Sequence, residues 1–335
     1  MQWGLGVLGV VIILLVLGDV VKTTLSVRGS GLGSGWLART TWTVALWWHR
    51  RRPAHGALAY VGTATLLLII GLWTSALWLG WTLFFMSDLN AVVSSSSGEP
   101  TGFVERAYFV GYTLITLGNG EYQPQVGFWQ IMTLLAASLG FFVITLAITF
   151  LLSVLPAVVG KRQLASYIAS LGLAPADIVL GAWDGDSCDA LTQHLSTLNE
   201  ALGKVAQQHL AFPILHYFHS GERRTALPLR VAALDEALGC LFYGLEGCQS
   251  TAHRLQPLRE SVGSLLETLQ NGFIGGHDDT PPPTPLEPLR EGGLETKAQA
   301  DYHRALDEKT ERRKLLHGYV VKDGWEWQDI FKGED

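Results

Sequence analysis

The chain is 335 residues long, 48% hydrophobic and only 16% charged, with a formal net charge of −6 and a mean hydropathy of +0.23. Those averages join two unlike halves: residues 1–162 carry nine Lys or Arg against five Asp or Glu, and residues 163–335 carry fifteen against twenty-five. An acidic second half argues against nucleic acid as a partner, and three cysteines (Cys188, Cys240, Cys248) without a C-x-x-C pair argue against a disulfide framework or a zinc ribbon.

In chain order, residues 1–22 form an apolar run long enough to cross a bilayer, without the basic start or cleavage site of a signal peptide. They are read as an N-terminal transmembrane helix. Residues 23–56 follow as a basic loop with Arg28, Arg39, Arg50, Arg51 and Arg52 and no acid, which the positive-inside rule places in the cytoplasm. Within it Trp36, Trp42, Ala45, Leu46 and Trp47 fall at spacings that share one helical face, the pattern of an interfacial helix; a tryptophan-rich connector is the alternative. No charge occurs from Pro53 to Ser87, so a second span is expected over 57–86. The breaker-rich stretch after it reads as an exposed loop. Residues 101–113 are too short to cross as a helix and predict a re-entrant segment carrying Tyr108, Phe109 and Tyr112. After T-L-G-N-G-E-Y-Q-P, a third span runs from 126 to about 159 and ends at Lys161 and Arg162, again a cytoplasmic signal. The parity puts the amino terminus outside and the carboxyl-terminal part inside.

The second half reads as helical. Cys188, Leu191, Leu195, Leu198, Leu202, Val205 and His209 repeat at alternating spacings of three and four, and two further seams occupy 227–245 and 255–269. Residues 161–274 are therefore expected to form an antiparallel helical bundle, its seams pairing within or between chains. Residues 275–294 read as a Pro/Gly linker, and 295–335 as a charged helix with a tail that docks or hangs free. His209, His216 and His219 suggest packing rather than a metal site, and Asp184 and Asp186 a turn and helix cap rather than a calcium loop. No nucleophile elbow, P-loop, H-E-x-x-H or dinucleotide fingerprint occurs, so the chain is not read as an enzyme, and no cofactor or structural metal is expected.

T-L-G-N-G therefore carries the functional reading. Unpaired backbone at membrane depth survives only inside protein or along a water-filled path. Alternate glycines let the chain take up positive φ and turn successive carbonyls to one side, and a column of carbonyls replaces the hydration shell of a monovalent cation. Apolar helix, short aromatic helix, T-x-G-x-G-acid, proline and second apolar helix over residues 57–160 resemble the pore module of the tetrameric potassium channel superfamily, whose usual filter is T-V-G-Y-G-D. The resemblance implies that Thr116, Leu117, Gly118 and Asn119 present ion-coordinating carbonyls and that Gly120 lets the chain turn out. It also implies that Glu121 stands for the family's aspartate and that Tyr108, Phe109 and Tyr112 brace the filter. Pro124 and the hinge glycine, Gly140, fall at family positions. Leu117 replaces the family's valine and Asn119 its tyrosine; the smaller Asn119 loosens the outer site, as in relatives that admit sodium. A gate is expected near Leu152 and Pro156, at the inner end of the third span.

The fold class expected is thus an all-α membrane protein: a helix, pore-loop, helix module with an extra N-terminal transmembrane helix and a cytoplasmic helical bundle. The function expected is a homotetrameric channel for potassium, or potassium and sodium, in a bacterial inner membrane. Membrane lipid and an unidentified cytoplasmic regulator are its expected partners. The alternative is a non-conducting membrane-anchored sensor or scaffold that uses the same fold.

Overall fold

A computed structural model describes residues 3–26, 29–270 and 272–333. The protein is a nearly all-α membrane protein, and three of its helical segments are long and apolar enough to cross a bilayer: Trp3–Leu25, His55–Phe85 and Phe128–Leu171. The chain divides into two compact units, residues 1–39 with 64–153, and residues 40–63 with 154–335. The expected basic loop and pore module are therefore both cut by this division, which falls inside helices.

In the first unit, α1 (Trp3–Leu25) packs on α4 (Val61–Phe85), where a Cβ on Gly9 would lie 2.5 Å from the Gly80 carbonyl oxygen. Small residues let two apolar helices approach where no hydrophobic effect drives them together. Asp19 of α1 lies at the start of α2 (Leu32–Arg51). Its carboxylate accepts from the Gly33 amide at 2.7 Å, from the Ser34 amide and hydroxyl, and from Trp73 Nε1 of α4 at 2.8 Å. The orphan amides of a helix start thus find an anion, which the helix dipole also favours. The site has no room for a side chain at Gly31, whose Cβ would collide with the Asp19 carboxylate.

Next come β1 (Val92–Ser94), α5 (Phe103–Leu114), β2 (Tyr122–Pro124) and α6 (Phe128–Leu171). The strands pair antiparallel, Val92 opposite Pro124 and Ser94 opposite Tyr122, and tie the chain leaving the glycine loop to the loop that precedes α5. This ribbon is absent from the sequence reading; adjacent β-branched Val92 and Val93 are its only local signal.

In the second unit the remainder of α2 is joined by α3 (His55–Ala59), α7 (Pro175–Ala182), α8 (Leu195–Ala211), α9 (Leu227–Gly239), α10 (Gln249–Gln270), α11 (Glu287–Glu291), α12 (Gln299–Asp307) and α13 (Thr310–Lys322). All thirteen residues of α9 are buried. It is the central helix, packed by α7, α10 and α13, and not one amphipathic member of three. Its two acids are paired: Asp235 accepts from Arg312 Nε at 3.0 Å, and Glu236 from Arg313 Nε at 2.9 Å and Thr284 Oγ1 at 2.8 Å. The first heptad seam begins in a 3-10 turn, Asp189–His194, so only its later positions lie on an α-helix.

Three further expectations are corrected. Residues 275–294 are not a free linker: Leu286, Leu289 and Leu294 are buried, because three leucines outweigh the extended preference of Pro281–Pro283, Pro285 and Pro288. The helix expected within 295–335 is broken into α12 and α13, and Trp325, Trp327 and Ile330 of its tail are buried in the same core. Trp42 does not share an exposed face with Trp36 and Trp47. It is buried, its indole donating to the Lys322 carbonyl at 3.1 Å, whereas Trp36 and Trp47 are exposed.

Glu236→Ala would leave the Arg313 guanidinium buried without its counter-charge, a loss of about 3–5 kcal/mol. Thermal unfolding of the full-length protein in detergent is expected to show a clearly lowered transition for this variant and little change for Asp301→Ala, whose partner Arg304 is exposed.

Candidate functional site

The glycine loop leaves α5 through its last carbonyls. Leu117 N donates to Tyr112 O at 2.8 Å and Thr116 N to Thr113 O at 3.1 Å, so the amides point back at the helix end. Thr116 (φ +58°), Gly118 (φ +57°) and Gly120 (φ +77°) are in the left-handed region, and Leu117 and Asn119 between them are not. Alternation of hand turns successive peptide planes the same way, where a regular strand would turn them to opposite sides. Among the described residues, no donor reaches the carbonyls of Thr116, Leu117, Gly118 or Asn119. They form four consecutive unpaired acceptors on exposed backbone.

Glycine carries two of the three positive φ values without strain, but Thr116 is β-branched and is the one non-glycine residue of its kind among those described. Strain of about 1–3 kcal/mol of this sort persists only where surroundings enforce it. Here the enforcing contacts are the two amide bonds to α5. Sequence reasoning assigned the conformational freedom to the glycines and missed Thr116.

Side chains brace the loop from α5. Tyr112 Oη donates to the Tyr122 carbonyl at 2.7 Å, Phe109 is buried against Phe85 with ring centroids 5.4 Å apart, and Tyr108 packs edge-on against Tyr112. Asn119 Nδ2 donates to Tyr108 Oη at 2.7 Å, and its Oδ1 accepts from the Glu121 amide at 3.2 Å. Asn119 thus makes a polar tie to α5 at the position where the resembling family packs an aromatic ring. Ser95 Oγ donates to the Gly120 carbonyl at 2.7 Å and closes the exit of the loop. The Glu121 side chain is exposed.

Arg106, the one Lys or Arg between Asp88 and Glu121, is buried. It donates to the carbonyls of Phe85 at 2.9 Å, Asp88 at 2.7 Å, Leu89, and Thr101 at 3.1 Å. Five guanidinium donors suit a turn of backbone carbonyls. An arginine in the first turn of a short aromatic helix is the signal that would have found it.

Gly140 sits in uninterrupted α6. A Cβ there would lie 2.3 Å from the Leu114 carbonyl oxygen, so the absence of a side chain is what lets α6 approach the end of α5. Of the inner positions, Leu152 and Pro156 are exposed. Thr145, Thr149 and Ser153 donate their hydroxyls back to the carbonyls four residues earlier, at 2.8–2.9 Å. Elsewhere, among the described residues no three His, Cys, Asp or Glu side chains, those of His209, His216 and His219 included, gather as metal ligands. The Asp184 carboxylate accepts from the amides of Asp186 and Ser187, which hold its pKa below the usual range and make it a turn cap.

Comparison with known proteins finds two likenesses. Residues 63–156 match the family described as ion channel. The uncharacterized membrane protein YdjJ of Bacillus subtilis (strain 168) is 34% identical over 271 residues, covering 81% of this chain and 80% of that protein. No solved structure matches.

Gly140→Ala is expected to disrupt the pore module, and Gly71→Ala, with nothing within 4 Å of the added methyl, to leave it intact or slightly firmer. Yield of monodisperse protein after detergent extraction, with protease resistance of residues 103–153, separates the two.

Proposed function

We propose that this chain, which belongs to the same family as the Bacillus subtilis membrane protein YdjJ and carries an ion-channel domain, forms a homotetrameric channel for monovalent cations. The four unpaired carbonyls from Thr116 to Asn119, set by alternating backbone hand, carry this reading. One chain supplies one such row. Four rows around an axis supply the cage of oxygens that replaces the hydration of potassium.

The proposal gives each of these residues a role. Thr116, Leu117, Gly118 and Asn119 coordinate the ion. Gly120 and the Ser95 contact end the row. The carboxyl end of α5, partially negative, favours a cation at the inner end of the filter, and Asp88, Glu99, Glu105 and Glu121, with Arg106 spent on backbone carbonyls, concentrate cations at the mouth. Potassium is the preferred ion and sodium the competitor. Leu152 and Pro156 face the inner entrance, and the second unit controls the pore through α6. The setting is a bacterial inner membrane, with the amino terminus outside and the helical domain in the cytoplasm, as the basic stretches Arg50–Arg52 and Lys161–Arg162 direct.

Current through the purified protein in a planar bilayer, under opposed potassium and sodium, tests the proposal. A reversal potential near the potassium limit is expected, and Gly118→Ala should abolish current, because alanine at φ +57° costs about 1–2 kcal/mol in every chain. Verified tetramers that stay silent would sink the conducting reading in favour of a sensor. Tyr108→Phe removes the acceptor of the Asn119 tie, and its reversal potential is expected to move toward zero; an unchanged value would deny the tie any part in selectivity.

A further inference from the structure

Half of the chain's ten histidines, His49, His55, His209, His216 and His219, belong to one region of the second unit, around the buried Lys161 of α6. Lys161 Nζ donates to the Phe218 carbonyl at 2.8 Å and lies 3.8 Å from Asp323 Oδ1 at the end of α13. Asp323 Oδ2 is 3.1 Å from His219 Nδ1, and His219 Nε2 is 3.1 Å from His55 Nδ1. His55 in turn lines a cavity of about 620 Å3, together with His49, Arg50, His317, Trp325 and Asp329. A continuous chain of polar contacts thus runs from an open cavity through His55, His219 and Asp323 to Lys161.

The protonation pattern of this chain is constrained. A carboxylate only accepts, so His219 presents Nδ1–H to Asp323; its Nε2, if neutral, accepts, and the facing His55 Nδ1 must then donate. A further proton makes one ring a cation: on His55 Nε2 it leaves the bond to His219 in place, and on His219 Nε2 it sets two N–H groups face to face unless His55 gives up its Nδ1 proton.

We propose that His55 and His219 form a proton-binding site that controls the Lys161–Asp323 contact. One proton, delivered by water in the cavity, makes the imidazole pair cationic; Asp323 then serves His219 in preference to Lys161, and Lys161 is left with only the Phe218 and Leu215 carbonyls, which loosens the hold on the α6 segment that bears it. No bond between heavy atoms changes. The inference rests on the proposed channel only for its consequence, since α6 is the same helix that carries Gly140.

The surroundings favour this direction. His55 faces His49 of α2 and His219, with Arg223 and Asp329 acting on it electrostatically. His219 faces Asp323, His49 and His55. Lys161 acts on His209 and His216, and Lys322 on His216. Burial first, then repulsion by His219 and His49, holds the His55 pKa at about 4; burial and His219 likewise lower His49 below 6.5, and burial holds His216 at about 4 and His209 at about 3. The packed state therefore binds fewer protons than a released one. Its stability is complete above the ordinary imidazole value of 6.5 and is lost as pH falls below it.

The test uses the full-length protein in lipid nanodiscs. Trp325 is stacked on His55 with ring centroids 3.9 Å apart, so an imidazolium there acts directly on its fluorescence. Emission of Trp325, taken as wild type minus Trp325→Phe, is expected to change about twofold or more between about pH 7.5 and about pH 4, the range that spans the ordinary imidazole value and the lowered value of His55. Amide exchange over residues 319–331, corrected for its intrinsic pH dependence, is expected to rise about tenfold over the same range. His55→Gln and His219→Gln should each remove both transitions, and Asp323→Asn should give the acid level of exchange already at neutral pH. Exchange that stays flat in the wild type, or transitions that survive in both Gln variants, would overturn the inference. Neither readout requires ion flux, so a silent pore would defeat the function proposed above and leave this result standing.

Discussion

Four consecutive carbonyls without a hydrogen-bond donor are the constraint to which the first unit is fitted. At membrane depth each such group costs several kcal/mol unless something polar meets it. Every neighbouring contact works to keep the loop from relieving that cost by folding into helix. α5 takes the amides of Thr116 and Leu117, Tyr112 holds the carbonyl of Tyr122, and the short ribbon anchors the exit to the segment before α5. The positive φ of Thr116 is the local cost of this arrangement, and it sits where the helix ends and the row of oxygens begins.

The same unit holds two charges near apolar surroundings, and both are neutralised by backbone rather than by a partner of opposite sign. Asp19 receives the amides at the start of α2; Arg106 receives carbonyls from the turn after α4. An ion pair would carry the desolvation of two charges, whereas these sites desolvate one and satisfy loop or helix-end groups that would otherwise need water. Each therefore fixes a loop at a membrane boundary: Asp19 the junction of α1 with α2, Arg106 the entrance to α5. In the second unit the logic differs. There α9 is enclosed on all sides, its acids meet arginines of α13, and the buried pairs select which helix lies at the centre.

The spanning helices and the glycine loop were legible because their signals are local: uncharged runs of spanning length, two glycines one residue apart, and an aromatic segment too short to cross. What escaped depends on partners distant in sequence. Thr116 has no propensity for positive φ, and only the end of α5 imposes it. Tyr108 could be counted as a supporting aromatic, but its hydroxyl's tie to Asn119 requires the loop to fold back over eleven residues. His55, His219 and Asp323 are separated by 164 and 104 residues and share no motif. The proline-rich stretch misled for a compositional reason: prolines set the backbone, while Leu286, Leu289 and Leu294 decided its burial.

Asn119 shows how a departure from the resembling family's residue changes the way the loop is held. An aromatic ring holds a filter outward by area, through many weak contacts that resist compression from several directions. Asn119 holds it by one directed bond of 2.7 Å to Tyr108 and a second to the next amide but one. A single hydrogen bond contributes about 0.5–1.5 kcal/mol net, and more where water is excluded. Discrimination between potassium and sodium depends on whether the carbonyls close in on the smaller ion or are held back from it. In the proposed tetramer four such ties set that resistance, so the stiffness of the Tyr108–Asn119 contact, more than the identity of the coordinating oxygens, is the quantity on which selectivity turns.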